Sequence, residues 1–133
     1  MKKRIMYGVL LAVLFIYLIC VCTSAPAEED YFRIVLEMGY QDVEKTPCEV
    51  VNFTIPEEFN AVYERYNALQ KEGGFDLGEY KGKKCKRYTY LIPSQNARAN
   101  IIVHKGQIIG GDISGITIDG IMKPIIRRHN DAT

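Results

Sequence analysis

Residues 5–22, IMYGVLLAVLFIYLICVC, form eighteen consecutive positions without a charge. A buried globular helix would show one polar face. This run shows none and is just long enough to span a bilayer, so it predicts a membrane-targeting helix. Beyond it the pattern becomes periodic. Phe32, Val35 and Leu36 recur at helical spacing behind Glu28-Glu29-Asp30 and ahead of Gly39, which predicts a helix over 29–38. Val51, Phe53 and Ile55 alternate with Val50, Asn52 and Thr54, predicting a strand that ends at Pro56. In TIPEEFNAVYERYNALQKEGG, Thr54 and Glu57 have capping-box spacing and Pro56 fits a first turn. Phe59, Val62, Tyr63, Tyr66 and Leu69 form one apolar stripe, and Gly73-Gly74 stops the helix. A loop anchored by Phe75, Leu77 and Tyr80 leads to CKRYTYLI, with Tyr88, Tyr90 and Ile92 on one side. Residues 93–98 read as a turn, and ANIIVH and QIIGGDI as a hairpin closed by Lys105-Gly106. TIDGIMKPII fits one short helical turn, and RRHNDAT a frayed tail. The result is an α+β domain: an antiparallel sheet of about four strands with a long amphipathic helix on one face, behind the N-terminal membrane-targeting helix.

Charge sets the topology. Lys2-Lys3-Arg4 precede the apolar run, so the N-terminus stays inside and residues 28–133 lie outside. Ala25-Pro26-Ala27 supplies small residues for a signal-peptidase cut after Ala27. Residues 1–27 are therefore a cleaved signal peptide or a retained anchor. The first product is secreted, and the second is a single-pass protein of the cell membrane. Residues 28–80 hold thirteen acids and four bases, while residues 81–133 hold three acids and ten bases. The outer domain as a whole is slightly acidic, which argues against nucleic acid despite Lys81, Lys83, Lys84, Lys86 and Arg87. The expected partners are the membrane, through residues 5–22, and an envelope protein or polymer.

The chain carries little recognisable chemistry. Gly110-Gly111-Asp112 is not a phosphate cradle, because it follows a hairpin turn and lies inside an apolar strand. Gly106, Gly110 and Gly111 read instead as structural glycines, Gly106 for positive φ in the turn and the others for a bulge or close backbone approach. No Gly-x-Ser-x-Gly stretch occurs, and His104 and His129 are the only imidazoles. No metal-ligand spacing is present, and no cofactor is implied. The expectation is a non-catalytic binding module. A small envelope enzyme is the alternative, with His104, Asp112 and Arg87 converging in a pocket. A peptide- or protease-directed inhibitor remains on fold analogy alone. Cys48 and Cys85 are the only cysteines of the outer domain. Either they pair as a disulfide across neighbouring strands, or they are two unrelated thiols.

The stretches IPEEFNAVYERYNALQKEGGFDLGEYKGK, RYTYLI and ANIIVHKGQIIGGDISGITIDGIM, in that order, resemble the bacterial domain family of unknown function numbered forty-eight thirty. The resemblance spans about residues 31–123. It implies a short exported or membrane-anchored protein of a Gram-positive bacterium. It brings no activity, substrate or catalytic residue, and the cysteine pair is not part of its pattern.

Overall fold

The structure, a computed structural model, describes residues 2–22, 30–116 and 120–128, with the side chains of the first segment described to Leu14. Helix α1 (Lys2–Cys22) leads. Among the described residues no helix is long and apolar enough to cross a membrane. The expected cleavage site after Ala27 lies outside the described residues. Helix α2 (Phe32–Glu37), strand β1 (Glu49–Thr54), helix α3 (Ala61–Glu72) and a 3-10 turn (Leu77–Tyr80) follow. Strand β2 (Lys84–Ile92), a second 3-10 turn (Pro93–Gln95), β3 (Ala97–His104), β4 (Gln107–Gly115) and β5 (Met122–Pro124) complete the domain. The fold class is α+β, and its sheet is a five-stranded antiparallel meander in the order β1-β2-β3-β4-β5.

Strand alternation sends side chains to two separate cores. Tyr88, Tyr90 and Ile92 of β2, Ala99, Ile101 and Val103 of β3 and Ile113 of β4 pack with Phe32, Ile34 and Val35 around α2. Rings of Phe32 and Tyr90 lie 6.5 Å apart, and those of Tyr31 and Tyr88 4.9 Å apart. On the opposite face Ile55, Leu77, Cys85, Ile102 and Ile109 form a smaller core beneath Phe53, Phe59, Tyr66 and Tyr80. Each face thus carries a core, at about 1.5–3 kcal/mol for each large apolar side chain fully buried.

The helix expected from Thr54 starts later. Ile55 keeps strand-like bonds, its N–H donating to Lys83 O and its O accepting from Gly82 N–H, so Pro56 closes the strand rather than opening a helix. The N-cap is Asn60, whose side chain accepts from the Tyr63 N–H at 2.9 Å. The expected apolar stripe holds only in part, with Phe59 and Tyr66 packed on the smaller core. Val62 is 71% exposed, and the buried residues of α3 are Asn67 and Gln70. Each has a tertiary partner. Asn67 Oδ1 accepts from the Leu77 N–H at 2.7 Å and its Nδ2 donates to Asp76 Oδ1 at 2.9 Å. Gln70 Oε1 accepts from the Gly111 N–H at 2.7 Å.

The C-terminal readings change as well. The short helical turn expected in TIDGIMKPII is replaced, in its described part, by β5 on the edge of β4. Arg127 and Arg128 are not a frayed tail. The Arg127 N–H donates to Gly73 O at 2.7 Å, and Arg128 pairs with Glu37. Between them and β5, Ile125 is fully buried. It sits so close to the end of α3 that a Cβ on Gly73 would lie 2.0 Å from Ile125 O. Part of the turn expected over 93–98 is strand, because Asn96 takes the left-handed conformation at the end of the 3-10 turn and β3 begins at Ala97.

Candidate functional site

The α3 side of the sheet is only partly covered. Its residues fall in three rows across the strands. Val51, Arg87, Ile102 and Gly110 form the first, and Glu49, Thr89, Asn100 and Asp112 the second. Leu91, Arg98, Ser114 and Met122 form the third. Leu77 and Gln70 of the helical layer lie over Gly110 in the first row. Over the second and third rows a groove of about 410 Å³ opens, lined by Glu49, Arg87, Thr89, Arg98, Asn100, Ser114, Gly115 and Ile116.

The floor is a directed chain of hydrogen bonds. Thr89 Oγ1 donates to Asn100 Oδ1 at 2.8 Å, and Asn100 Nδ2 donates to Asp112 Oδ2 at 3.1 Å. The Tyr66 hydroxyl, reaching down from α3, donates to Asp112 Oδ1 at 2.6 Å. Asp112 is 3% exposed, so these neutral donors replace the water it lost. Burial, and then the Asp112 carboxylate, push the Tyr66 phenol far above its ordinary range. Tyr66 is therefore a fixed donor near neutral pH. At the edge of the groove Arg87 Nη2 lies 3.5 Å from Glu49 Oε1, both side chains about half exposed. Arg98 is exposed and has no ion pair among the described residues.

Gly111 sets this floor in place. Its φ is +152°, and a Cβ there would lie 2.1 Å from Asn100 O. A bulge between Ile102 and Val103 lets Ile109 turn into the smaller core just before it. At the other end of the hairpin, Lys105 and Gly106 take φ of +49° and +79°, a tight turn of the type that suits strand twist. A Cβ on Gly110 would meet Gln70 Oε1 at 2.7 Å.

Of the polar trio expected to converge, Arg87 and Asp112 share the site. Both act on the Tyr66 hydroxyl, and they stand in neighbouring rows. His104 does not join them. It lies four residues along β3 from Asn100, with Nδ1 2.9 Å from Lys84 O and its ring against Tyr80. That geometry corrects the His104-Asp112-Arg87 pocket. The disulfide expectation is corrected too, since both thiols are free. Cys85 pairs opposite Phe53, five residues from Cys48. An odd spacing puts the two thiols on opposite faces, and five residues is roughly 16 Å along the strand, well beyond the ~7 Å limit for a bridge. Burial raises the Cys85 thiol above its ordinary pKa. Thr89, Asn100, Ser114, Tyr66 and Arg98 went unnoticed as site residues. For the four strand residues the signal is a polar side chain at alternate positions; Tyr66, on α3, carries no such signal.

A second cleft of about 380 Å³ lies between α2, the first 3-10 turn and the β3–β4 hairpin turn. Three of its charges serve the fold. Asp30 pairs with Arg33, Arg128 with Glu37, and Asp76 caps the 3-10 turn by accepting from the Gly78 N–H at 2.8 Å.

Fold and site together define the class of this protein: an α+β domain with helices on both faces of a sequential antiparallel meander and a polar groove on one of them. More particularly, residues 36–113 match the model of the family described as Domain of unknown function (DUF4830), and the chain belongs to it. No curated protein and no solved structure matches the chain.

Proposed function

We propose that this chain is an extracytoplasmic binding module of the bacterial envelope, with residues 5–22 in the membrane and residues 28–133 outside. A cut after Ala27 would release the same domain. The cations at Lys2, Lys3 and Arg4 before an uncharged run support that orientation. The groove over Thr89 and Asn100 is its recognition surface. One observation carries this reading: the groove is open, but its floor is a closed set of hydrogen bonds. Asp112 is engaged by Tyr66 and Asn100, and Tyr66 holds its proton near neutral pH. Groups so committed suit shape and charge recognition better than proton transfer at pH 7.

Two measurements on cells test it. External protease applied to intact spheroplasts is expected to degrade the domain, and full protection would refute the topology. A photo-crosslinking residue at Ser114 is expected to form an envelope adduct that the same residue at Val62 does not. Equal labelling from both positions would remove the groove from the proposal.

A further inference from the structure

We propose that the groove binds a single carboxylate attached to an apolar group, as at the C-terminus of a peptide. This rests on the groove being the recognition surface and adds the class of its ligand. Arg87 and Arg98 stand in the two rows that flank Thr89 and Asn100. The Leu91 position beside Arg98 is four residues from Arg87, so the two Cα atoms are about 14 Å apart, and both arginines line the groove over the row between. Planar guanidiniums match the two oxygens of a carboxylate.

Both arginines have capacity to spare. Arg98 has no ion pair among the described residues. The contact of Arg87 with Glu49, at 3.5 Å, is longer than the ~2.7–2.9 Å of a full charge-assisted bond. Ser114 Oγ receives Asn100 Nδ2 at 3.5 Å and keeps its own O–H to donate.

Charge decides between a monoanion and a dianion. The groups open to solvent are Arg87, Arg98 and Glu49, one positive charge in excess. Beneath them lies the Asp112 carboxylate, its oxygens already taken up by Tyr66 and Asn100. One negative charge matches the single excess positive charge of the solvent-open groups, whereas a phosphate dianion exceeds it. The far rim supplies the apolar contact. Ile116 is 48% exposed at the end of β4, and Met122, next to Ser114 on β5, is 46% exposed.

The test uses the full chain, ¹⁵N-labelled, in detergent micelles at pH 7. The probes are N-acetylvaline, its uncharged N-methylamide, acetate and inorganic phosphate. N-acetylvaline is expected to give saturable shifts at the Arg87 and Arg98 side-chain N–H groups and at the Ser114 amide. Acetate is expected to bind the same groups more weakly, and the N-methylamide not at all. Arg98→Gln should weaken N-acetylvaline roughly tenfold or more, as expected for loss of a charged hydrogen bond. Lys84→Gln, at the other end of β2, should leave it unchanged. Equal binding of the amide, tighter binding of phosphate, or indifference to Arg98→Gln would each overturn the proposal. Should the Ser114 adduct form in cells while N-acetylvaline fails here, the groove stands and only the ligand class falls.

Discussion

At the level of single residues, the site depends on backbone geometry as much as on side chains. Gly111 combines a φ of +152° with a Cβ position 2.1 Å from Asn100 O. Gly111→Ala is therefore expected to destabilise by about 2 kcal/mol or more, read as a lower urea midpoint. Gly110→Ala should cost less, because its obstacle is the Gln70 side chain rather than backbone. Tyr66 makes a second prediction. Its folded pKa is raised, so its contribution is complete below the ordinary value of 10.0 and is lost as pH rises above it. Tyr66→Phe should leave Asp112 short of one donor, cost about 1–3 kcal/mol at pH 7, and lessen the loss of stability in alkali. The cysteines give a third: in native protein without reductant, Cys48 should be alkylated and Cys85 only after unfolding. The Gly-Gly pair was legible as a structural device because only backbone geometry explains glycines inside an apolar strand. The cysteine pairing was not legible, because it depends on register, and a one-residue slip moves a side chain to the other face.

Among the elements, legibility tracked period. Strand β2, with alternating Tyr88, Tyr90 and Ile92, and the Lys105-Gly106 turn follow the pattern in the chain. Helix α3 follows it only in part: Tyr66 packs on the smaller core, but its buried positions are Asn67 and Gln70. An amide reads as a surface residue until its partner is known, and here the partners are the Leu77 and Gly111 N–H groups. Strand β5 was missed for a similar reason: three residues carry no period of their own, and the neighbouring strand defines them. The corrected start of α3 is testable. Asn60→Ala should cost about 1 kcal/mol as a lost N-cap, whereas Thr54→Ala should not act as a cap mutation. Thermal unfolding of the two variants compares them. The groove was legible only in fragments, Arg87 and Asp112, since the groove itself arises where four strands lie side by side.

For the molecule as a whole, stability should respond to acid through two carboxylates that hold turns, Asp42 exposed and Asp76 half-buried. The Ser94 N–H and hydroxyl keep Asp42 below its ordinary 3.8, and the Asn67 amide and the Gly78 N–H do the same for Asp76. Lowered pKa values of this kind contribute above 3.8, and the contribution is lost as pH falls through the folded values. Urea midpoints are expected to drop below that pH, and Asp76→Asn should reduce the drop. The meander has a further consequence, in time rather than space. Every strand pairs with its neighbour in the chain, so most contacts form between segments made one after the other, a topology associated with rapid folding. A chain made from its N-terminus onward can build β1 to β4 as they emerge. Ile125 comes last, and it fills the space beside Gly73 and Gly111 that the earlier segments leave. The moment of completion is thus set by the arrival of Ile125, and a chain stalled before it would leave an unfinished core open to proteolysis.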